Sequence, residues 1–342
     1  MPGESVLLAV PNVSEGRDGP RIDAIARAFT GAGRVTSADT GTVADVGTAT
    51  VAGGTRLLDV HSDADHHRSV FTLAGYPGTL ASSLLSGAAA AVKTINVGIG
   101  RDSAEIGRHP HVGAIDVVPV VYLDQHSRGV ACAEALVVAE EIGERLGVPV
   151  FIYGELSGGR TRAALRRGGV SGLAARIASG ELHPDFGPPR LHPTAGATLV
   201  AARPPLVAFN LELAAPATVR EAAAIAARIR EGGPDGLPGL RAIGVELTGT
   251  DELTGGVEPR DGAGLTGGAG PGDAVAQVSM NVERPLELSL AAVVLAVSRH
   301  APVVRAELVG LAPRAALEGF PADLPMPGFD PARHVIENAL GL

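Results

Sequence analysis

Gly107-Arg108-His109-Pro110-His111-Val112-Gly113-Ala114-Ile115-Asp116-Val117-Val118-Pro119 sets a histidine beside a proline where a glycine-bearing loop runs into an apolar strand. Proline fixes its own φ and biases the residue before it towards extended backbone. His109 is therefore held by local chain chemistry at a loop-to-strand junction. An imidazole titrates near neutrality, so a histidine aimed in this way suits proton transfer in both directions. Taken alone, His109 reads more readily as a loop residue bonded to backbone, and the rest of the chain has to move the reading off that.

Outward from this stretch the pattern is regular. Val6 to Val10 is a short apolar strand, stopped by Pro11-Asn12-Val13-Ser14-Glu15-Gly16. Asp18-Gly19-Pro20 opens a helix with Ile22, Ile25, Ala26 and Phe29 at helical spacing. Strands are expected at 56–61 and 68–73, a helix at 80–92 and a strand at 114–122. That order, β-α-β-β-α-β, is the one found in ferredoxin-like units. A helix at 130–146, a strand at 150–153 and a helix at 160–178 extend it. The proline-rich stretch 183–196 breaks all periodicity and reads as a linker or binding loop. Strand, helix, strand, strand, helix, strand then follow a second time, at 206–213, 219–231, 240–247, 275–282, 286–299 and 303–311. Two glycine-rich stretches, 31–54 and 248–273, read as loop insertions. The expected architecture is α+β, with two ferredoxin-like (βαββαβ) subdomains spanning 1–203 and 204–342.

Bulk properties narrow the function. The chain has 342 residues, a formal charge of −9, 3% aromatic residues and no Trp. An acidic, aromatic-poor chain lacks the basic stripe and the stacking platforms of nucleic-acid binders. No apolar run reaches the roughly 18 residues of a membrane span, and the first ten residues carry Glu4 and no positive charge, unlike a signal peptide. A cytoplasmic protein acting on small molecules is expected. Cys132 is the single cysteine and Lys93 the single lysine. Carboxylate recognition therefore falls to arginine, whose planar fork suits it.

Several short patterns compete for attention. His61, Asp63, Asp65, His66 and His67 have the composition of a metal cluster. Strand alternation puts only every other residue on one face, however, and a solvated turn is the stronger reading. Gly98-Ile99-Gly100 has two glycines of a dinucleotide fingerprint without the third. No metal site is expected.

Nine segments together resemble the formiminotransferase domain of glutamate formiminotransferases and of the N-terminal half of formiminotransferase-cyclodeaminase. They are Val10-Pro11-Asn12-Val13-Ser14-Glu15-Gly16; Leu58-Asp59-Val60 with Arg68-Ser69-Val70-Phe71-Thr72; His109-Pro110 to Asp116; Val148-Pro149-Val150-Phe151-Ile152-Tyr153-Gly154-Glu155; Pro184-Asp185-Phe186-Gly187-Pro188; Gly196-Ala197-Thr198; Ala208-Phe209-Asn210; Ala276-Gln277-Val278-Ser279-Met280-Asn281; and Glu307-Leu308-Val309-Gly310-Leu311.

The resemblance implies a homodimer with a folate-binding tunnel between the subdomains. It implies transfer of a formimino group from N-formiminoglutamate to N5 of tetrahydrofolate, as in histidine degradation. His109 matches the catalytic histidine. Gly187, Pro188, Pro189, Arg190, Leu191, His192, Pro193, Thr194, Ala195 and Gly196 match the folate-binding segment. Arg68 is then expected to bind a substrate carboxylate, and Asp116 to orient His109 or hydrogen-bond the pterin. Asn12, Ser14 and Glu15 are expected in the site loop. The alternatives are a relative using another one-carbon donor, such as 5-formyltetrahydrofolate, or a non-catalytic folate-binding protein. His111 stands where the family usually has arginine, and Arg108 where an acidic residue commonly precedes the histidine.

Overall fold

The computed structural model describes residues 6–31, 54–64, 66–98, 111–248 and 274–342. His109, Asp65, Gly98-Ile99-Gly100 from Ile99 onward and nearly all of the two glycine-rich insertions lie outside them. The chain divides into two compact units, one ending at Pro204 and the other running from Pro205 to Leu342.

In the first unit, β1 (Leu7–Ala9) and β2 (Asn12–Val13) form one interrupted central strand. The interruption is Val10-Pro11: proline has no N–H to give to a ladder, but its carbonyl still accepts from the Phe71 N–H at 3.0 Å. On one side this strand pairs antiparallel with β4 (Arg68–Gly75), and β4 with β3 (Arg56–Asp63). On the other it pairs antiparallel with β5 (Ile115–Val121). The sheet continues through parallel pairings of β5 with β7 (Thr198–Arg203) and of β7 with β6 (Val150–Ile152).

Helices α1 (Gly19–Thr30), α2 (Thr79–Thr94) and α3 (Arg128–Arg145) pack on one face. There Val118, Val120, Val200 and Ala202 join Phe29, Leu84, Val138 and Ile142 in a buried core. The alternate residues Val117, Leu199 and Ala201 face the other way. They pack with Phe151 against Leu165, Leu173 and Ile177 of α4 (Arg162–Arg166) and α5 (Gly169–Ala178). One continuous helix was expected over 160–178. Instead Gly168 and Gly169 both take positive φ, 78° and 62°, and turn the chain between two short helices.

The strand β7 is not foreshadowed by the sequence. Thr198–Arg203 is buried on both faces in its first five residues and has no polar alternation to mark it.

The second unit is β8 (Val207–Leu213), α6 (Val219–Ile229), β9 (Leu240–Thr248), β10 (Ala274–Val282), α7 (Leu290–Ser298) and β11 (Val303–Val309). Its antiparallel sheet has the order β11-β8-β10-β9. Counted within each unit, the spatial order is fourth, first, third, second strand. The first unit has the same order in β5, β1/β2, β4 and β3 before its parallel extension. Phe209, Leu211, Val278 and Met280 form the second core with Ile225, Ile229, Val293 and Val297. No helix among the described residues is long and apolar enough to cross a membrane.

Candidate active site

The polar centre of the first unit is Asp116, next to the start of β5 and fully buried. Its Oδ1 accepts the Val112 N–H at 2.8 Å, which closes the turn by which the chain enters β5. Its Oδ2 accepts from Arg68 at 2.7 Å and from a guanidinium nitrogen of Arg166. Arg68 in turn donates from Nε to Asn12 Oδ1 at 2.8 Å, and Asn12 Nδ2 donates to the Val10 carbonyl at 2.9 Å. Strands β2, β4 and β5 and helix α4 are thus tied to one carboxylate.

Burial on its own would push the Asp116 carboxyl up. Arg166 and Arg68, with the Val112 N–H, outweigh it and hold the group well below the usual carboxylate range. Burial pulls the Arg68 guanidinium down to about 10; Asp116 opposes the shift, while Arg166 and Arg162 add to it. Both groups are charged at neutral pH.

Ser14 and Glu15 sit one step along. Ser14 is bonded to the β5 entrance through its Oγ to the Gly113 carbonyl at 2.8 Å and its N–H to the Ala114 carbonyl at 2.9 Å. Glu15 builds its own loop. Its carboxylate accepts the Arg17 and Asp18 N–H groups at 2.9 and 3.1 Å and pairs with Arg21, while Ser69 Oγ donates to its carbonyl at 2.6 Å. Burial raises this carboxyl's pKa, but the two N–H groups and Arg21 bring it below its ordinary value.

His67 Nδ1 accepts the Gly16 N–H at 3.1 Å and lies 3.5 Å from Glu15. An accepting Nδ1 carries no proton, so this contact is not a salt bridge. Burial, the largest influence on the imidazole, lowers its pKa and fits that neutral form. His66 is held by Asp63 at 2.6 Å. Among the described residues no three His, Cys, Asp or Glu side chains converge as a metal site would require.

The proline-rich segment ends against the same strand entrance. His192 and Gly196 exchange backbone hydrogen bonds of 2.9 and 3.0 Å, and His192 Nδ1 accepts the Ala195 N–H at 3.0 Å. The carbonyl of Ala195 accepts the Ala114 N–H at 2.9 Å, and that of Thr194 the Val97 N–H at 2.7 Å. Gly113 and Gly196 bridge the two stretches. Only glycine fits there: a Cβ on Gly113 would stand 1.8 Å from the Ala197 carbonyl oxygen, and one on Gly196 2.2 Å from that of Val112. Gly187 packs against Gly143 of α3. Pro188, Leu191 and His192 are half-buried, whereas Pro189, Arg190, Pro193 and Thr194 are exposed.

Of the residues expected in the site, the structure joins Asn12, Arg68 and Asp116 directly. Ser14, Ala195 and Gly196 are joined to them through the backbone at 112–114. Glu15 is tied to Ser69, the neighbour of Arg68, and among the described residues the carboxylate's partners, Val112, Arg68 and Arg166, include none of 187–191. Arg166 was missed. Its one sequence signal is the Arg162-x-x-x-Arg166 spacing, which puts two arginines on the same face of a helix.

A buried, arginine-clasped carboxylate thus stands at the entrance of the strand that follows His109-Pro110 in the sequence. The chain matches the formiminotransferase domain, N-terminal subdomain, over residues 6–203. It is 30% identical over 344 residues to the glutamate formimidoyltransferase of Streptococcus pyogenes serotype M1, covering 98% of each protein. It is 34% identical over 325 residues to the formimidoyltransferase-cyclodeaminase of Sus scrofa, covering 90% of this chain and 50% of that protein. A 32% identity over 214 residues relates it to the glutamate formimidoyltransferase of Thermoplasma acidophilum. The chain belongs to the formiminotransferase family. It spans about half the length of the formimidoyltransferase-cyclodeaminases it matches.

Proposed function

We propose that this protein is a glutamate formimidoyltransferase, moving the formimino group of N-formiminoglutamate to N5 of tetrahydrofolate. The observation that carries the reading is a match over 98% of the chain to a glutamate formimidoyltransferase. The Asn12–Arg68–Asp116–Arg166 network, at the start of the strand that follows His109 in the sequence, supports it. Buried amide, guanidinium and backbone groups suit a heterocycle with many donors and acceptors and a donor bearing carboxylates.

In this mechanism His109 is the general base and acid. It takes the proton shed by the attacking pterin nitrogen as the bond to the formimino carbon forms. The same imidazolium then returns a proton to the departing glutamate nitrogen. Base and acid catalysis of this kind contributes roughly 10²- to 10⁴-fold, and holding two substrates end to end contributes further. Asp116 anchors the Val112 N–H, three residues beyond His109, and so fixes the strand end from which that loop departs. Arg68 binds a substrate carboxylate. Asn12, Ser14 and Glu15 shape the wall, and 187–196 line the folate.

Both units are read as ferredoxin-like on their shared strand order. The working form is a cytoplasmic homodimer that uses tetrahydrofolate as co-substrate and no metal. The test is a spectroscopic assay of the purified protein with tetrahydrofolate and N-formiminoglutamate. 5-Formiminotetrahydrofolate must form only when both are present. Folate binding without product would mean that the donor or the role has changed.

A further inference from the structure

His67 lies in the turn between β3 and β4, and among the described residues it is the one non-glycine with a positive φ, 50°. Side chains rarely take up that region, and asparagine, aspartate and histidine enter it most readily. From there its Nδ1 accepts the N–H of Gly16, 51 residues away in the chain, at 3.1 Å. Gly16 is seated without slack. A Cβ on it would stand 2.1 Å from the Asp63 carbonyl oxygen and 2.5 Å from the Arg68 nitrogen, at the closing pair of the β3–β4 ladder. The other end of the same short loop is bonded to the start of β5, through Ser14 and the carbonyls of Gly113 and Ala114. His67 therefore holds one end of the loop whose other end braces the strand entrance that Asp116 anchors.

An amide oxygen in the place of Nδ1 would accept the Gly16 N–H at any pH. An imidazole accepts it only while neutral, because protonation makes both ring nitrogens donors. A protonated Nδ1 would face the Gly16 N–H as donor against donor. Its acceptor would then be Glu15 Oε1, 3.5 Å away, the oxygen that holds the Arg17 and Asp18 N–H groups. The charged and titratable groups around the ring are Glu15, Arg17 and Arg21 on one side and His111 from the approach to β5. Asp63 and His66 of its own turn are bonded to each other. Burial disfavours the charged ring most. Glu15 favours it, and Arg17, His111 and Arg21 add to the effect of burial, so the pKa is lowered.

We propose that His67 is a positioning residue for the transfer reaction: neutral, it holds the Ser14–Gly16 loop and through it the entrance of β5, and protonated, it lets go of Gly16 and turnover falls. This rests on the formiminotransferase activity proposed above. The role is exerted through the backbone and not through contact with a substrate.

The test compares wild type with H67N and H67A. Asparagine tolerates a positive φ and offers Oδ1 to the Gly16 N–H without a titrating ring. At neutral pH H67N should keep the wild-type kcat. H67A should lose roughly 10-fold in kcat, the cost of a backbone N–H left unpaired, with the KM of each substrate near wild type. In acid, wild-type turnover should fall more steeply than that of H67N, in which position 67 no longer titrates. In 15N-labelled wild type the Gly16 amide resonance should shift as the His67 ring protonates, and in H67N it should stay in place over the same range.

H67A that loses thermal stability with kcat unchanged would make His67 merely structural and overturn the proposal. So would equally steep acid limbs in wild type and H67N, or a Gly16 amide that ignores the titration of the ring. If H67A does not fold, H67N and the Gly16 resonance decide. If wild type makes no product, the activity reading has failed. The Gly16 titration then decides the rest: a shift that follows the ring keeps His67 as the group that holds the loop, and no shift rejects it.

Discussion

The two units have one strand order, and they differ in how one helix start and one set of ion pairs are held. In the second unit α6 is capped by its own sequence: Thr218 Oγ1 accepts the Glu221 N–H, and the Glu221 carboxylate accepts the Thr218 N–H. Most of its described ion pairs are exposed on both sides, as with Arg228 and Asp235 at 2.7 Å, the half-buried Glu212 paired with Arg305 being different. In the first unit α2 begins at Gly78 with no side-chain cap of its own. Glu134, 5% exposed and 56 residues away on α3, supplies it by accepting the Gly78 N–H at 2.8 Å and the Ala81 N–H at 2.7 Å. Its central ion pairs join Asp116 to residues 48 and 50 positions distant, all inside the protein. A shared topology fixes where the elements run and leaves open which unit carries chemistry. The unit with long-range buried charge is the one that builds the candidate site.

The sharpest way to break this contrast is Asp116→Asn. Removing one partner of a buried ion pair typically costs about 3–5 kcal/mol, and the measurement is denaturant unfolding of the variant. The exposed counterpart Asp235→Asn should cost about 0–1 kcal/mol. Equal losses would abolish the distinction between the units.

Acid should sharpen it. The folded-state pKa of Asp116 lies below its unfolded value, so its contribution is complete above about pH 4. It is lost as pH falls from there through the folded-state pKa. Asp116→Asn should therefore flatten part of the wild-type fall in stability below pH 4.

Glu134→Ala is next in size. It leaves the buried Ala81 N–H, and that of the exposed Gly78, without their acceptor, at about 1–3 kcal/mol. Thr218→Ala in the second unit should cost about 1 kcal/mol, the ordinary loss of a helix cap. Chemical denaturation of both variants ranks the two kinds of cap.

The same contrast explains what the sequence makes legible. Local rules are readable: the Asp18-Gly19-Pro20 helix start, the strand alternation at 207–213 and 275–282, and the repeated βαββαβ order all follow from short-range pattern. The strand β7 was hidden because its small residues are buried on both faces, and the break at Gly168-Gly169 because one apolar stripe crosses it. In the site, Asn12, Arg68 and Asp116 were reached through motif resemblance, since nothing local tells a strand-end Asp from a cap. Arg166 was passed over because arginines on a short helix usually mark a solvated face. Its partner is 50 residues away, and that pairing exists only after folding.

The central claim is that His109 performs the proton transfers at a site whose frame is built around Asp116. The most direct measurement is turnover of His109→Ala beside its tetrahydrofolate affinity, with N-formiminoglutamate as donor. The expected result is a loss of about 10²- to 10⁴-fold in kcat with folate binding unchanged. Turnover near the wild-type rate, with folate bound as tightly as before, would contradict it.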